Sequence, residues 1–160
     1  MAVPKILACA AARRRAAYVF LVEGRVRDWR VSEKAARSPQ DAAELTQIWI
    51  NYLKPDVLVT EKTAVPSRKS ARTKKIINAI ARTAAHNYLL DVSIERRRAY
   101  RNKYEEAEAL ARRHPEVAAW LPQKRKFFDH EPRNTVLFEA LALAQDILDD
   151  PSTSLAKAMG

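Results

Sequence analysis

The chain has 160 residues, of which 48% are hydrophobic, and its 29 Lys and Arg against 19 Asp and Glu give a formal net charge of +10. This excess favours a nucleic-acid partner because binding to a polyphosphate releases counterions, although ribosomal and membrane-surface proteins share it. No apolar run approaches the roughly 18 residues that span a bilayer, and we expect no membrane partner. A single cysteine, Cys9, excludes an internal disulfide and indicates a reducing, cytoplasmic location, and only two glycines argue against P-loop and dinucleotide-binding folds.

The first part of the chain predicts three antiparallel strands. Residues 6–9 form a short apolar run, and residues 10–15 interrupt it. The segment Ala16–Val22 is β-branched and aromatic, Glu23 and Gly24 make a turn, and residues 25–32 alternate polar and apolar side chains as a half-exposed strand does. The expected result is a three-strand meander.

Helical and strand patterns alternate in the rest of the chain. Ser38 and Pro39 begin an amphipathic helix that ends before Pro55. The later patterns predict a strand at 57–61, a helix at 70–86, a strand at 88–94, and helices at 95–113 and 132–148. We expect one domain over residues 1–150 and a flexible tail at 151–160.

This order of elements predicts an α/β fold with a five-stranded mixed sheet. Three meandering strands would be followed by two parallel strands that alternate with helices, and the helices would flank the sheet. A doubly wound fold would instead alternate strands and helices from its start. The order is that of the RNase H-like fold.

Glu61 ends the short apolar run that begins at Val57. Ligands of open α/β sheets collect outside the carboxyl ends of the strands, and carboxylate oxygens suit hard divalent cations. Glu61 is therefore a candidate metal ligand, and the alternative is a solvated charge at the end of a strand.

Three segments together resemble RuvC-type Holliday-junction resolvases. Residues 6–18 match the family's first strand, its turn and the Tyr of its second strand without a gap. Residues 56–61 are similar to its fourth strand, which carries the catalytic Glu. Residues 138–144 are similar to its last helix and put Glu139 at the position of the family's last carboxylate. The resemblance covers residues 5–148. It implies phosphodiester cleavage by two Mg²⁺ or Mn²⁺ ions held by carboxylates of the first strand, the fourth strand and the last helix, here Glu61 and Glu139.

The chain departs from the family at its first-strand Asp, which both ions share. That position is Ala10, and a methyl group cannot bind a cation. A natural loss and a deliberate Asp-to-Ala change both fit, and both predict that cleavage is absent or very weak. Val136 also replaces an acidic or His residue of the family. Asp129, His130 and Glu131 are candidates for a replacement metal set, and the alternative is that the two acidic residues cap the following helix.

Clusters of basic residues near the predicted carboxyl edge are candidates for phosphate contacts, with solvated helix faces as the alternative. The candidates are Arg13, Arg14, Arg68, Lys69, Arg72, Lys74, Lys75, Arg97, Arg98, Lys124 and Arg125. Phe127 follows the last two and is a candidate for stacking on an unpaired base, with burial in the core as the alternative.

The leading hypothesis is a RuvC-like, metal-dependent endonuclease scaffold that binds branched or structured DNA and is inactive as written. A homodimer would match a two-fold junction, with the apolar face of the helix at 70–86 as the expected contact. The second hypothesis is a non-catalytic RNA- or ribosome-associated basic protein on the same fold. A third, an unrelated α/β enzyme acting on a small anionic substrate, is disfavoured by the scarcity of glycine.

Overall fold

A five-stranded sheet lies between two layers of helices in the computed structural model, which describes residues 3–96, 102–122 and 132–149. The strands are β1 (Ile6–Ala11), β2 (Ala16–Val22), β3 (Arg25–Ser32), β4 (Val57–Glu61) and β5 (Leu90–Ile94). The helices are α1 (Pro39–Leu53), α2 (Ala71–His86), α3 (Lys103–Arg113) and α4 (Thr135–Asp149). Two short 3-10 helices, Lys34–Ala36 and Pro115–Trp120, complete the described elements.

The sheet has the spatial order β3-β2-β1-β4-β5. Strand β2 pairs antiparallel with both β1 and β3, whereas β4 pairs parallel with both β1 and β5. The predicted sheet, an antiparallel meander extended by two parallel strands, is confirmed. The parallel strands β1 and β4 end side by side, so their last residues share one edge of the sheet, called here the carboxyl edge.

Strand β1 separates two apolar cores because alternate side chains point to opposite faces. Ile6 and Ala8 belong to the core under α3 and α4, whereas Leu7 and Cys9 belong to the core under α1 and α2. Burial on both faces explains why β1 and β4 read as continuous apolar runs. Burial also raises the pKa of the Cys9 thiol, which keeps it protonated as a core residue.

Serine caps fix the beginnings of α1 and α2. The Ser38 hydroxyl accepts a hydrogen bond from the Asp41 amide at 3.0 Å, and the Ser70 hydroxyl accepts one from the Thr73 amide at 3.1 Å. Each bond satisfies an amide that has no partner within its helix. The predicted start of the first helix at Ser38 and Pro39 is confirmed.

Four predicted boundaries were wrong, and the last of them is the start of α4, which lies at Thr135 and not at residue 132. Strand β1 continues to Ala11, because burial between two helical layers outweighs the weak strand preference of alanine. Strand β5 begins at Leu90 and not at residue 88, since Tyr88 has a left-handed φ of 58°. Helix α3 begins at Lys103, where the Asn102 side chain caps it, and not at residue 95. Residues 97–101, 123–131 and the tail at 150–160 lie outside the described residues.

The apolar face of α2 is not available for a dimer. Ile76, Ile80 and Ala84 are buried in the core that the sheet, α1 and α2 share. Helical periodicity correctly marked this face as buried, but the partner that covers it is the chain itself. The expected dimer contact on α2 is therefore wrong. Within the described ranges, no helix is long and apolar enough to span a membrane.

Candidate nucleic-acid interface

The carboxyl edge brings Ala10 and Glu61 onto the same side of the sheet. Ala8 pairs with Val59 in the parallel β1–β4 register, and Ala10 and Glu61 each follow two residues later. Since alternate residues share a face, both point with Ala8 and Val59 toward the layer of α4. Ala10 is buried, and Glu61 is partly buried.

A lysine ammonium occupies this edge. Lys69, from the loop between β4 and α2, donates to the Glu139 carboxylate on α4 at 2.9 Å and to the Ala11 carbonyl oxygen at 2.7 Å. The two side chains are only 17% and 23% exposed. Hydrogen bonds between ionised groups are the stronger kind, particularly where water is partly excluded. Lys69 therefore ties the end of β1 to the beginning of α4.

Glu61 completes a group of two carboxylates and one ammonium. Partial burial raises the pKa of Glu61 above its ordinary value, and the charge of Glu139 adds to this effect. Lys69, Arg96 and Lys74 oppose it without cancelling it. The ionised form of Glu61 is thus held at an energetic cost, and a positively charged group that came close would stabilise it.

The described residues of this edge do not fit a two-metal centre. Hard divalent cations need several oxygen ligands, but Ala10 offers a methyl group and Lys69 already donates to Glu139. Among the described residues, no group of three or more His, Cys, Asp or Glu side chains could hold a metal ion. Asp129 and Glu131, the proposed auxiliary ligands, lie outside the described residues.

Four of the predicted phosphate-binding residues are exposed near this edge. Arg13 and Arg14 lie in the turn between β1 and β2, where the Ala12 amide donates to the Arg15 carbonyl oxygen at 2.8 Å. Arg68 lies in the loop before α2, and Lys75 lies in its first turns. Their positions suit contact with a polyanion approaching the carboxyl edge.

Other predicted contacts have structural partners. The Arg72 guanidinium donates to the Arg37 carbonyl oxygen at 2.9 Å, and the Lys74 ammonium reaches the Val65 carbonyl oxygen at 3.4 Å. These bonds hold the first 3-10 helix and the loop before α2. Five further candidates lie outside the described residues, namely Arg97, Arg98, Lys124, Arg125 and Phe127.

The contact between Lys69 and Glu139 could not be predicted from the sequence. Lys69 stood among the phosphate-binding candidates, and Glu139 among the metal ligands, but 70 positions separate the two residues. No local pattern couples a loop lysine to a helix carboxylate over such a distance. Only the folded sheet brings them together.

Comparisons with known proteins found likeness in structure and not in sequence. No protein-family model matches the chain, and the search of curated proteins found no match. The structure of Thermus thermophilus RuvC in complex with a Holliday junction substrate is 14% identical, with a TM-score of 0.66 over 94% of this chain and 97% of that chain. A second structure of Thermus thermophilus RuvC is also 14% identical, with a TM-score of 0.57 over 88% and 90% of the two chains.

The mixed five-stranded sheet matches the fold of these structures, and the likeness to the first of them extends over nearly the whole length of both chains. At 14% identity the likeness establishes the fold and does not by itself establish an activity. The chain has a RuvC-like fold of the RNase H-like class.

Proposed function

We propose that this protein binds branched DNA at the carboxyl edge and leaves the DNA backbone uncut. The likeness to a RuvC chain solved with a Holliday junction substrate supports the choice of branched DNA. The net charge of +10 supports binding to a polyanion. Neither observation alone selects DNA, so the test includes RNA.

A single observation carries the non-hydrolytic part of the proposal. The Lys69 ammonium bonds Glu139 and the Ala11 carbonyl oxygen, beside the methyl group of Ala10. The edge thus carries a fixed cation of its own, and the described residues lack the oxygen ligands that a pair of divalent ions requires. The remaining chemistry is binding.

The exposed cations hold the phosphates in this proposal. Arg13, Arg14, Arg68 and Lys75 contact the backbone from two sides of the edge, and such contacts set the position of the DNA without reading its sequence. Lys69 supplies a positive charge whose position is fixed by two hydrogen bonds. A homodimer would present two such edges to a two-fold junction, and light scattering of the complex measures this stoichiometry.

Charge reversal with a matched control tests the proposal. Arg13→Glu/Arg14→Glu changes the charge at the carboxyl edge, and Arg25→Glu/Arg27→Glu makes the same change at exposed positions where β3 begins, at the opposite edge. Fluorescence anisotropy would measure affinity for a four-way junction, a linear duplex and an RNA hairpin at several salt concentrations.

We expect the parent chain to prefer the junction. The first variant should lose at least tenfold in affinity, with the salt slope of binding reduced by about 0.9 for each lost phosphate contact. The control variant should lose much less. Equal losses in both variants would contradict the proposed interface. Tighter binding to the RNA hairpin than to the junction would favour the RNA-binding alternative.

A further inference from the structure

Trp120 is an exposed aromatic side chain on a rigid support. It ends the 3-10 helix Pro115–Trp120 and is 41% exposed. Its ring makes a T-shaped contact with Trp29 of β3, with a centroid distance of 5.0 Å. The Asn134 side-chain amide donates to the Trp120 carbonyl oxygen at 3.0 Å. Both contacts fix the position of an indole ring that remains accessible.

This ring lies on the β3 side of the carboxyl edge. Ala10 pairs with Ala17, and Ala17 pairs with Val31, so these residues form one row across the sheet. Two strand spacings place Val31 about 10 Å from Ala10. Trp29 precedes Val31 by two residues on the same strand face, about 7 Å further from the edge.

A cation lies between the ring and the edge. Arg133 is exposed, and its guanidinium donates to the Val31 carbonyl oxygen at 3.3 Å. The acidic side chain of the 3-10 helix is Glu116, four residues before Trp120, which is about 8 Å along the axis of such a helix. The surface around Trp120 thus combines an aromatic ring with a positive charge on the side that faces the edge.

We propose that Trp120 is a stacking surface for an unpaired base of the bound DNA and that Arg133 contacts the adjacent phosphate. The inference rests on the proposed function and adds a second contact region to it. Proteins that hold single strands combine aromatic faces with positive charge in this way. A ring held in place before binding loses little conformational freedom when a base stacks on it.

Nucleic acid fits this surface better than an apolar protein partner or a lipid surface does. A base offers a flat face to the indole and a phosphate to the guanidinium, whereas an apolar partner would leave the Arg133 charge without a counterion. Bases near a branch point are less constrained by pairing than those in a continuous duplex. By these spacings Trp29, which supports the ring, lies about 12 Å from Ala10, and neighbouring nucleotides can span that distance.

The test compares Trp120→Leu, Trp120→Phe and Tyr88→Ala on three DNAs of equal length: a fully paired duplex, the same duplex with a short single-stranded gap, and a four-way junction. Leu keeps an apolar side chain against Trp29 without an aromatic face, and Phe keeps the face. Tyr88 is 97% exposed and precedes β5 at the opposite end of the sheet, so it serves as the control.

We expect Trp120→Leu to weaken binding to the gapped duplex about tenfold, to weaken junction binding to a smaller extent, and to change binding to the paired duplex less than twofold. Trp120→Phe should retain most of the affinity, and Tyr88→Ala should retain all of it. Intrinsic fluorescence gives a second readout, since quenching by gapped DNA should fall in Trp120→Phe to the part that the partly buried Trp29 contributes, whereas Trp49 is buried.

Two outcomes would overturn the inference and leave the proposed function intact. In one, Trp120→Leu binds all three DNAs as the parent chain does. In the other, the substitution weakens binding to all three equally, which indicates a structural role. Failure of the parent chain to bind any of the DNAs would instead contradict the proposed function itself.

Discussion

Helix α4 carries an ion pair near each end, and the two pairs differ in their surroundings. Near its beginning, Lys69 and Glu139 are mostly buried at the edge of the sheet. At its end, Arg113 and Asp149 are 2.9 Å apart and about half exposed. The second pair is linked to buried side chains by hydrogen bonds. The Gln145 amide donates to Asp149 at 2.8 Å, and the oxygen of Gln145 lies 2.6 Å from the Nε2 atom of His114.

The two ends of α4 also shift carboxyl pKa values in opposite directions. At the first pair, burial raises the pKa of Glu61 despite the nearby ammonium. At the second, burial opposes ionisation of Asp149, but hydrogen bonds from Arg113 and Gln145 outweigh it and lower the pKa. The polar groups at the end of α4 thus stabilise the packing of α3 on α4, whereas the group at its beginning retains unfavourable charge where we propose that DNA binds.

The largest expected effect is on stability, at the buried residues that are linked to the Arg113–Asp149 pair. His114→Leu removes the partner of the Gln145 side-chain oxygen, on a side chain that is 7% exposed. It should lower the free energy of unfolding by about 1–3 kcal/mol, because that buried oxygen is left without a hydrogen bond. Guanidinium denaturation at pH 7 measures this. Junction affinity of the folded variant should be unchanged, and a loss of affinity without a loss of stability would contradict the distinction between the two ends.

A double-mutant cycle at the first pair should give the next largest effect. Lys69→Met leaves Glu139 and Glu61 without their shared counter-cation and should lower the free energy of unfolding by about 1–2 kcal/mol. Adding Glu139→Gln should recover part of that loss, because the carboxylate that lost its partner becomes neutral. Denaturation of the two single variants and the double variant supplies the cycle. Strictly additive losses of unfolding free energy would mean that the contact between Lys69 and Glu139 contributes nothing to stability.

A smaller, pH-dependent effect is expected for Asp149→Asn. The pair with Arg113 is about half exposed, so after screening by solvent its loss should cost about 0.5 kcal/mol at pH 7. Because the folded-state pKa of Asp149 lies below the ordinary value of 3.8, this stabilisation is fully present above pH 3.8 and is lost as the pH falls through the folded-state pKa. Denaturation between pH 2 and 7 should show that the free energies of unfolding of Asp149→Asn and the parent chain converge in acid. A difference that stays constant over this range would be inconsistent with the lowered pKa.

Asp91→Asn should give the smallest change in the free energy of unfolding, and unlike the other substitutions it should raise this free energy. Burial raises the pKa of Asp91, and its Oδ1 atom has no hydrogen-bond partner within the described part of the chain. The cost of ionising Asp91 is absent well below pH 3.8 and fully present above the folded-state pKa. The neutral variant should therefore be more stable than the parent chain by about 0.5 kcal/mol at pH 7 and equal to it in acid. A loss of stability at pH 7 in the same titration would show that the carboxylate has a favourable partner.

The fold could be predicted largely because its strands and helices carry strong local signals. The strand Val57–Glu61 begins with three apolar residues, and Ser38 followed by Pro39 marks the beginning of α1. The errors lie where local preference and tertiary burial disagree. Ala10 and Ala11 have weak strand preference but extend β1 in the interior, and the left-handed backbone at Tyr88 delays the start of β5.

The site was predictable at the level of positions and not of contacts. Glu61 and Glu139 were placed at one edge by the resemblance, and the missing carboxylate at Ala10 could be read directly. The bonds of Lys69, which reach residues 58 and 70 positions away, depend on the complete sheet. The same holds for Trp120, whose support by Trp29 links residues more than 90 positions apart along the chain.

Strand cleavage of a bound four-way junction tests whether the protein binds DNA without cutting it. The parent chain, Ala10→Asp and Glu61→Gln would each be incubated with a labelled junction and excess Mg²⁺ or Mn²⁺, and the products separated on native and denaturing gels. We expect the parent chain to retard the junction on the native gel and to leave every strand intact on the denaturing gel. Metal-dependent nicking by the parent chain that Glu61→Gln abolishes would contradict the proposal of binding without cleavage.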